Sequence, residues 1–225
     1  MLESKNFKAI LFDLDGTLVD TLEDLSEIMN TVLRRRGLPT HPKEAYKQMV
    51  GWGLRSLAEK SLPEGRRDEE TVSECEKELV SLYFKTPVVK TKPYPGIPEL
   101  LNKLTGKKIP MGILTNKTHH LAEEVVNRLL SRWEFVLIRG SIPGKPKKPD
   151  PSVAIEFCEK VGIPPEKTFF LGDSNIDMKT AVAAGMFPAG ALWGFRTAEE
   201  LKESGAKVLL SSPEEVISYF DKQRR

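Results

Sequence analysis

Two aspartates stand two residues apart in Phe12-Asp13-Leu14-Asp15-Gly16-Thr17-Leu18. Ahead of them runs Phe7-Lys8-Ala9-Ile10-Leu11, apolar apart from Lys8 and rich in strand formers. That segment reads as a buried strand, which puts both carboxylates at its C-terminal end. A carboxylate buried there is costly unless it is paired or metal-bound. Gly16 lets the backbone turn sharply and come close to a ligand. Asp15-Gly16 is also a pair that a plain turn uses, so the motif alone leaves a reactive site and an acidic turn both open.

Further polar residues recur at later strand ends. Thr115-Asn116 follows an apolar run over 109–114, and Lys148 sits in Lys148-Pro149-Asp150-Pro151. Asp173 and Asp177 sit in Gly172-Asp173-Ser174-Asn175-Ile176-Asp177, just after the run 168–171. Each has a dull explanation: Thr115 as a helix cap, Lys148 in a solvated basic loop, Asp173 and Asp177 as a cap and a first-turn acid. Taken together and in order they have the makings of phosphoryl transfer. A carboxylate attacking a phosphate meets charge repulsion, which a bound Mg²⁺ reduces. Mg²⁺ takes octahedral oxygen ligands and few carboxylates, and Asp13 with Asp173 supplies two. Lys148 would neutralise phosphate charge as a compact cation. Thr115, Asn116 and nearby N–H groups would hold the remaining oxygens. Asp15 is then left to act as acid and afterwards as base.

These residues need a frame that brings strand ends together. From Pro93-Tyr94-Pro95-Gly96 onward, helical and strand patterns alternate: helices over 97–104, 118–130, 151–161, 177–184, 198–204 and 213–220, strands over 109–114, 135–139, 168–171, 187–193 and 208–210. Such alternation implies a parallel sheet covered on both faces. Ligands of such sheets bind outside the carboxyl ends of the strands. Between 19 and 87 only helical patterns and turns are found, with no strand. Asp20-Thr21 caps a helix with Leu22, Leu25, Ile28, Met29, Val32 and Leu33 at helical spacing. Pro42–Val50 and 54–62 read as short helices, and 68–83 as a longer one with Val72, Cys75, Leu79 and Leu82 inward. The fold class is therefore α/β, with a helical insertion after the first strand.

Composition narrows the partners. With 34 basic against 32 acidic residues the net charge is +2, which gives no nucleic-acid footprint and no membrane-surface signal. Cys75 and Cys158 show no metal or redox spacing, which fits a reducing compartment. The uncharged stretch Thr180–Phe195 is broken by Gly and Pro and is too short to span a bilayer. No secretory signal is evident, so a cytoplasmic protein acting on a small phosphorylated metabolite is expected, as monomer or homodimer.

The four motifs, in this order and with a helical insert after the first, resemble the haloacid dehalogenase superfamily over essentially the full length. The resemblance implies a Rossmann-like core over 1–18 and 88–225, and an all-helical cap over 19–87. It implies that Asp13 is the nucleophile and forms an aspartyl-phosphate, and that Asp15 protonates the leaving alkoxide and then deprotonates the hydrolytic water. It also implies a metal held by Asp13, the backbone carbonyl of Asp15 and Asp173, with Asp177 as a further ligand or a supporting residue. The acid at Asp15 disfavours dehalogenation, and the ATP-driven pump branch needs membrane spans that are missing.

Local matches point to the phosphoglycolate phosphatase-like branch. They are Leu18-Val19-Asp20-Thr21 with Asp24-Leu25, Val50-Gly51-Trp52-Gly53-Leu54-Arg55-Ser56-Leu57, Pro93-Tyr94-Pro95-Gly96 and Leu114-Thr115-Asn116-Lys117. The β-phosphoglucomutase-like branch carries a histidine soon after the first motif, and this chain has none before His41. Phosphonatases need a cap lysine, for which only the unmarked Lys47 and Lys60 are available. In the cap loop, Gly51 and Gly53 open a helix N-terminus suited to an anion, and Arg55 could hold a carboxylate in two-pronged fashion. Equally, the glycines are hinge residues and Arg55 a surface group. Lys117 faces the substrate or water, and Trp52 lines the site or packs in the cap. The expected activity is Mg²⁺-dependent hydrolysis of a small organophosphate, foremost 2-phosphoglycolate. The alternatives are a pyrophosphatase, a sugar- or nucleotide-phosphate phosphatase, a phosphosugar mutase, and a catalytically silent binder of a phosphorylated ligand.

Overall fold

The computed structural model describes residues 7–221. The chain opens with β1 (Ala9–Phe12), turns, and forms the short β2 (Val19–Asp20). Helices α1 (Leu22–Arg35), α2 (Leu54–Ser61) and α3 (Glu69–Lys85) follow, and β3 (Lys92–Pro93) returns antiparallel to β2. The remainder alternates: α4 (Ile97–Gly106), β4 (Met111–Thr118), α5 (His119–Leu129), β5 (Leu137–Ser141), α6 (Ser152–Val161), β6 (Thr168–Gly172), α7 (Asn175–Ala183), β7 (Phe187–Ala191), α8 (Ala198–Glu203), β8 (Val208–Leu210) and α9 (Pro213–Val216).

The main sheet has the order β5-β4-β1-β6-β7-β8, and every pairing in it is parallel. β1 therefore lies inside the sheet, between β4 and β6, and the ends of these three strands converge. Alternation along the strands divides the core in two. Ile10, Phe12, Ile113, Phe169 and Leu171 pack against α4 and α5 through Leu100, Leu104 and Val125. Ala9, Leu11, Leu114 and Phe170 face the other way, toward Val153 and Phe157 of α6 and Ala181 of α7. Gly112 is the close-approach point of that second face. A Cβ there would stand 2.7 Å from the Phe157 ring and 2.9 Å from Leu11.

The helices between β2 and β3 form their own core from Leu25, Met29 and Val32 of α1, Leu57 of α2, and Val72, Cys75, Leu79 and Tyr83 of α3. Three details differ from the pattern expected of the sequence. Residues 43–48 wind as a 3₁₀ helix (Lys43–Gln48) rather than an α-helix. Tyr83 is buried where Leu82 was expected, because i, i+4 spacing from Cys75 through Leu79 lands on 83. A strand does occur after residue 19, since β2 and β3 pair where the chain enters and leaves the helical insert.

A second tie secures that junction. The Asp24 carboxylate on α1 accepts from the N–H of Val89 at 3.0 Å, of Lys90 at 2.9 Å and of Thr91 at 2.9 Å, and from Thr91 Oγ1 at 2.5 Å. Burial pushes this carboxyl up, but the hydrogen bonds from Thr91, Val89 and Lys90 outweigh it and hold it below the usual carboxylate range. Because the folded value is depressed, the clasp is at full strength above the ordinary aspartate range and is lost as pH falls through Asp24's own lower value. Asp24→Ala leaves these N–H groups without their acceptor, and is expected to cost about 2–3 kcal/mol, the worth of hydrogen bonds to a charged group. Urea unfolding at pH 7 and near pH 3 measures this, and the difference from wild type should shrink at the lower pH.

Candidate active site

Every strand that ends next to β1 delivers a polar residue to one spot. β1 delivers Asp13, whose N–H still pairs with the Leu171 carbonyl at 2.9 Å and so keeps the strand's direction for one more residue. β6 ends at Gly172 and delivers Asp173, and α7 delivers Asp177 in its first turn. The Ser174 side chain caps α7 reciprocally with Asp177, which fixes the latter's orientation. Ligand atoms of Asp13, Asp173 and Asp177 all lie within 4.8 Å of one another, and all three residues are buried.

Close approach of backbone makes this crowding possible. Gly16 sits at φ +90°, and a Cβ there would stand 2.4 Å from an Asp173 carboxylate oxygen. A Cβ on Gly172 would stand 2.3 Å from the Asp177 Cβ, and one on Gly194 would stand 2.2 Å from the Asp173 Cβ. Asp173 is held by Thr17 Oγ1 at 2.9 Å and by the Phe195 N–H at 2.8 Å.

The acids share one cation. Lys148 Nζ lies 2.7 Å from Asp13 Oδ1 and 2.6 Å from Asp177 Oδ1. Burial lowers the Lys148 pKa, but the charges of Asp13 and Asp177 outweigh it and keep the ammonium protonated. A single ammonium cannot satisfy three carboxylates. Burial, and then the charge of Asp177, push Asp13 well above the usual carboxylate range and Asp173 up to about 7.

Asp15 stands apart from this cluster. Its carboxylate accepts from Lys117 Nζ at 3.0 and 3.3 Å. Lys117 also hydrogen-bonds the hydroxyl of Tyr83, which α3 brings down from the helical insert. Burial pushes the Tyr83 phenol up to about 12, so it stays neutral.

Above these groups lies a cavity of about 30 Å³. Its floor is Asp13, Asp15, Thr115, Asn116 and Lys117. Leu25, Val50, Gly51, Gly53, Leu54 and Leu57 of the helical insert roof it. Thr115 Oγ1 accepts from the Lys117 N–H at 3.2 Å. Asn116 donates from Nδ2 to the carbonyls of Gly51 and Lys148, each at 3.1 Å, and its buried Oδ1 has no hydrogen-bond partner among the described residues.

The structure thus brings together Asp13, Asp15, Thr115, Asn116, Lys117, Lys148, Asp173 and Asp177, with Gly51 and Gly53 overhead. It does not bring Arg55. That side chain lies 2.6 Å from Glu69 and 3.2 Å from Glu76 of α3, on the outer side of the insert. The reason is helical geometry: Leu54 starts α2 facing the cavity, and the next residue points about 100° away. The carboxylate-holding role considered for Arg55 is therefore corrected to a surface ion pair. Trp52 does not line the cavity; its carbonyl accepts from Lys147 Nζ at 3.3 Å.

Sequence reasoning passed over Thr17, Ser174, Tyr83, Phe195 and Arg196. Thr17 and Ser174 lie inside the motif stretches, and Tyr83 was legible from helical spacing. The Phe195 contact is a backbone N–H, and no spacing marks Arg196.

Removing the shared cation exposes the strain in this cluster. Lys148→Met should lower stability by about 3–5 kcal/mol in metal-free buffer, as expected when one partner of a buried charge set is lost. Urea denaturation of the chelator-treated protein measures it.

Comparison with known proteins agrees with this geometry. Residues 10–191 match the model of the haloacid dehalogenase-like hydrolases. A phosphoglycolate phosphatase of Aquifex aeolicus is 34% identical over 214 residues, covering 95% of this chain and 97% of its own. An N-acetylmuramic acid 6-phosphate phosphatase of Pseudomonas aeruginosa is 29% identical, covering 98% of each chain. A solved protein of Lactobacillus delbrueckii superposes with a TM-score of 0.89 at 26% identity, covering 96% of this chain and 98% of that one. With the family's match spanning both edges of the acid cluster, this chain belongs to the haloacid dehalogenase-like hydrolases.

Proposed function

We propose that this protein is a Mg²⁺-dependent phosphatase that hydrolyses a small phosphomonoester, foremost 2-phosphoglycolate, through a phosphorylated Asp13. The observation that carries this reading is the placement of Lys148 between Asp13 and Asp177, with Asp173 beside them, Asp15 on the same turn as Asp13 and a cavity above both.

The donors suit a hard divalent cation: buried carboxylate oxygens in a cluster whose charge one lysine leaves largely uncompensated. Asp13 and Asp173 would hold it, with the Asp15 carbonyl and Asp177 nearby. When bound, Mg²⁺ withdraws charge from the phosphate oxygens and lowers the repulsion that a carboxylate nucleophile meets. Asp13 Oδ1 is fixed by Lys148 and by the Leu14 N–H at 2.7 Å, which leaves Oδ2 to attack phosphorus. The P–O bond to the alcohol breaks as the Oδ2–P bond forms. Asp15 passes a proton to the departing alkoxide, which leaves as the alcohol. Asp15, now a carboxylate, takes a proton from water. The water oxygen attacks phosphorus, the Oδ2–P bond breaks, and Asp13 is regenerated with release of phosphate. Thr115 and Lys148 steady the phosphoryl oxygens throughout.

Three observations support a small acidic substrate. The roof is apolar, contributed by Leu25, Val50, Leu54 and Leu57, and offers no side-chain partner to the hydroxyls of a sugar ring. Lys117 is the only cationic side chain that lines the cavity among the described residues, and it would meet a carboxylate carried by the leaving alcohol. Both relatives' names denote phosphate esters of molecules that also bear a carboxylate. A larger carboxylated sugar phosphate is the second reading, and it requires the roof to move outward.

The test is phosphate release across a panel of 2-phosphoglycolate, N-acetylmuramic acid 6-phosphate, glucose 6-phosphate, pyrophosphate, a nucleoside monophosphate and an aryl phosphate, with and without Mg²⁺. The expected result is Mg²⁺-dependent release with the highest kcat/KM for 2-phosphoglycolate. Asp15→Asn should lose about 10²–10⁴ in kcat, and Asp13→Asn should release no phosphate. Turnover by Asp13→Asn near the wild-type rate would overturn the mechanism.

A further inference from the structure

Arg196 lies outside the acid cluster, on the loop that leaves β7 and enters α8. It is buried, with 6% of its surface exposed. Its Nη2 donates to the Val50 carbonyl at 2.7 Å, and its Nη1 to the Lys47 carbonyl. Nε lies 3.3 Å from Glu200 on α8, one turn further along. A guanidinium has a planar fork of donors, so it can bridge two carbonyls at once while its third nitrogen stays anchored to its own side. Here the anchor is the core and both carbonyls belong to the helical insert.

The surroundings are shaped for this contact. Gly51, at φ +119°, is the residue after Val50, and a Cβ on it would stand 3.6 Å from Arg196 Nη2. Phe195, the neighbour of Arg196, packs within the hydrophobic core of the insert together with Leu121 of α5. The Phe195 N–H is also the donor that holds Asp173. One short loop therefore grips both the acid cluster and the segment 47–50 that carries the cavity roof. Asn116 to the Gly51 carbonyl and Lys147 to the Trp52 carbonyl extend the same line of core donors along that segment.

We propose that Arg196 is a positioning residue. By bridging the Lys47 and Val50 carbonyls it holds the roof residues Val50 and Gly51 over Asp13 and Asp15, and so sets the fraction of molecules able to enclose a small substrate. Arg196 touches neither the cavity nor the reacting atoms. Its removal lowers the population of the closed form, and an apparent binding constant weakens in proportion to that fraction. Once a substrate is enclosed, the chemistry at Asp13 is unaltered. The kinetic expectation rests on the phosphatase reading above; the distance expectation below does not.

The experiment compares wild type, Arg196→Ala and Arg196→Lys. Spin labels on Glu59→Cys in α2 and Lys145→Cys in the core loop, both exposed sites, report the distance from roof to core by pulsed electron resonance. Wild type should give one dominant distance. Arg196→Ala should add a longer, broader population, and Arg196→Lys, which lacks the fork, should fall between the two. With 2-phosphoglycolate, Arg196→Ala should raise KM about tenfold or more while kcat stays within about threefold, since only the closed fraction changes. A loss of kcat at unchanged KM, with one unchanged distance, would mark a merely structural role and overturn the proposal. Identical distances and identical KM in all three proteins would do the same. If wild type releases no phosphate from any ester while the distances behave as expected, the roof-positioning inference stands and the phosphatase reading falls.

Discussion

Three carboxylates and one ammonium packed at the end of a parallel sheet are the arrangement on which the rest depends. Removing such charges from water is expensive, and their mutual repulsion adds to the cost. The fold supports it with strands of different sequence position that end at one place, a serine cap that aims Asp177, and donors that fix Asp173. Glycines at 16, 172 and 194 remove the side chains that would otherwise occupy the same space. The hydrophobic faces of the central strands anchor these groups, because Ile10, Phe12, Phe169 and Leu171 have no exposure to give up. The three buried acids thus stand within 4.8 Å of one another around a single ammonium.

The helical insert supplies what the sheet lacks. The floor of the cavity is almost wholly polar, and the apolar part of its wall comes from α1, α2 and the loop 50–53. Tyr83 is the exception, since it reaches from α3 to the Lys117–Asp15 pair and links the far end of the insert to the floor of the cavity. The division of labour follows from topology. Strand ends can converge charged groups but leave one side open to water, and an insertion after the first strand is placed to cover that side.

Much of this was legible in the sequence, for physical reasons that differ by residue. The core strands 168–171 and 208–210 stand out as short apolar runs between turn residues, and Asp13 and Asp173 stand out because buried charge at a strand end needs a purpose; Lys148, in the loop before α6, stands out only in company with them. The 3₁₀ winding at 43–48 was not legible, since periodicity over six residues does not separate it from an α-helix. The two-residue pairing of β2 with β3 is too short to carry a pattern at all. Arg55 misled because residue type, loop and charge all suited a ligand, while the rotation of one helical position decided otherwise. Arg196 was invisible because its partners are carbonyls, which every residue has.

The clasp made by Asp24 carries a consequence for how such proteins diversify. The Asp24 carboxylate reads backbone N–H groups of Val89, Lys90 and Thr91, with only the Thr91 hydroxyl adding a side chain. A junction recognised through main chain is nearly blind to the identity of the residues that form it. At this junction the side chains of residues 89 and 90 can therefore change without loosening the grip, so long as α1 brings one acid to its first turn. The roof segment is likewise gripped through its carbonyls by Arg196, Asn116 and Lys147, so its side chains can change while the polar floor stays fixed.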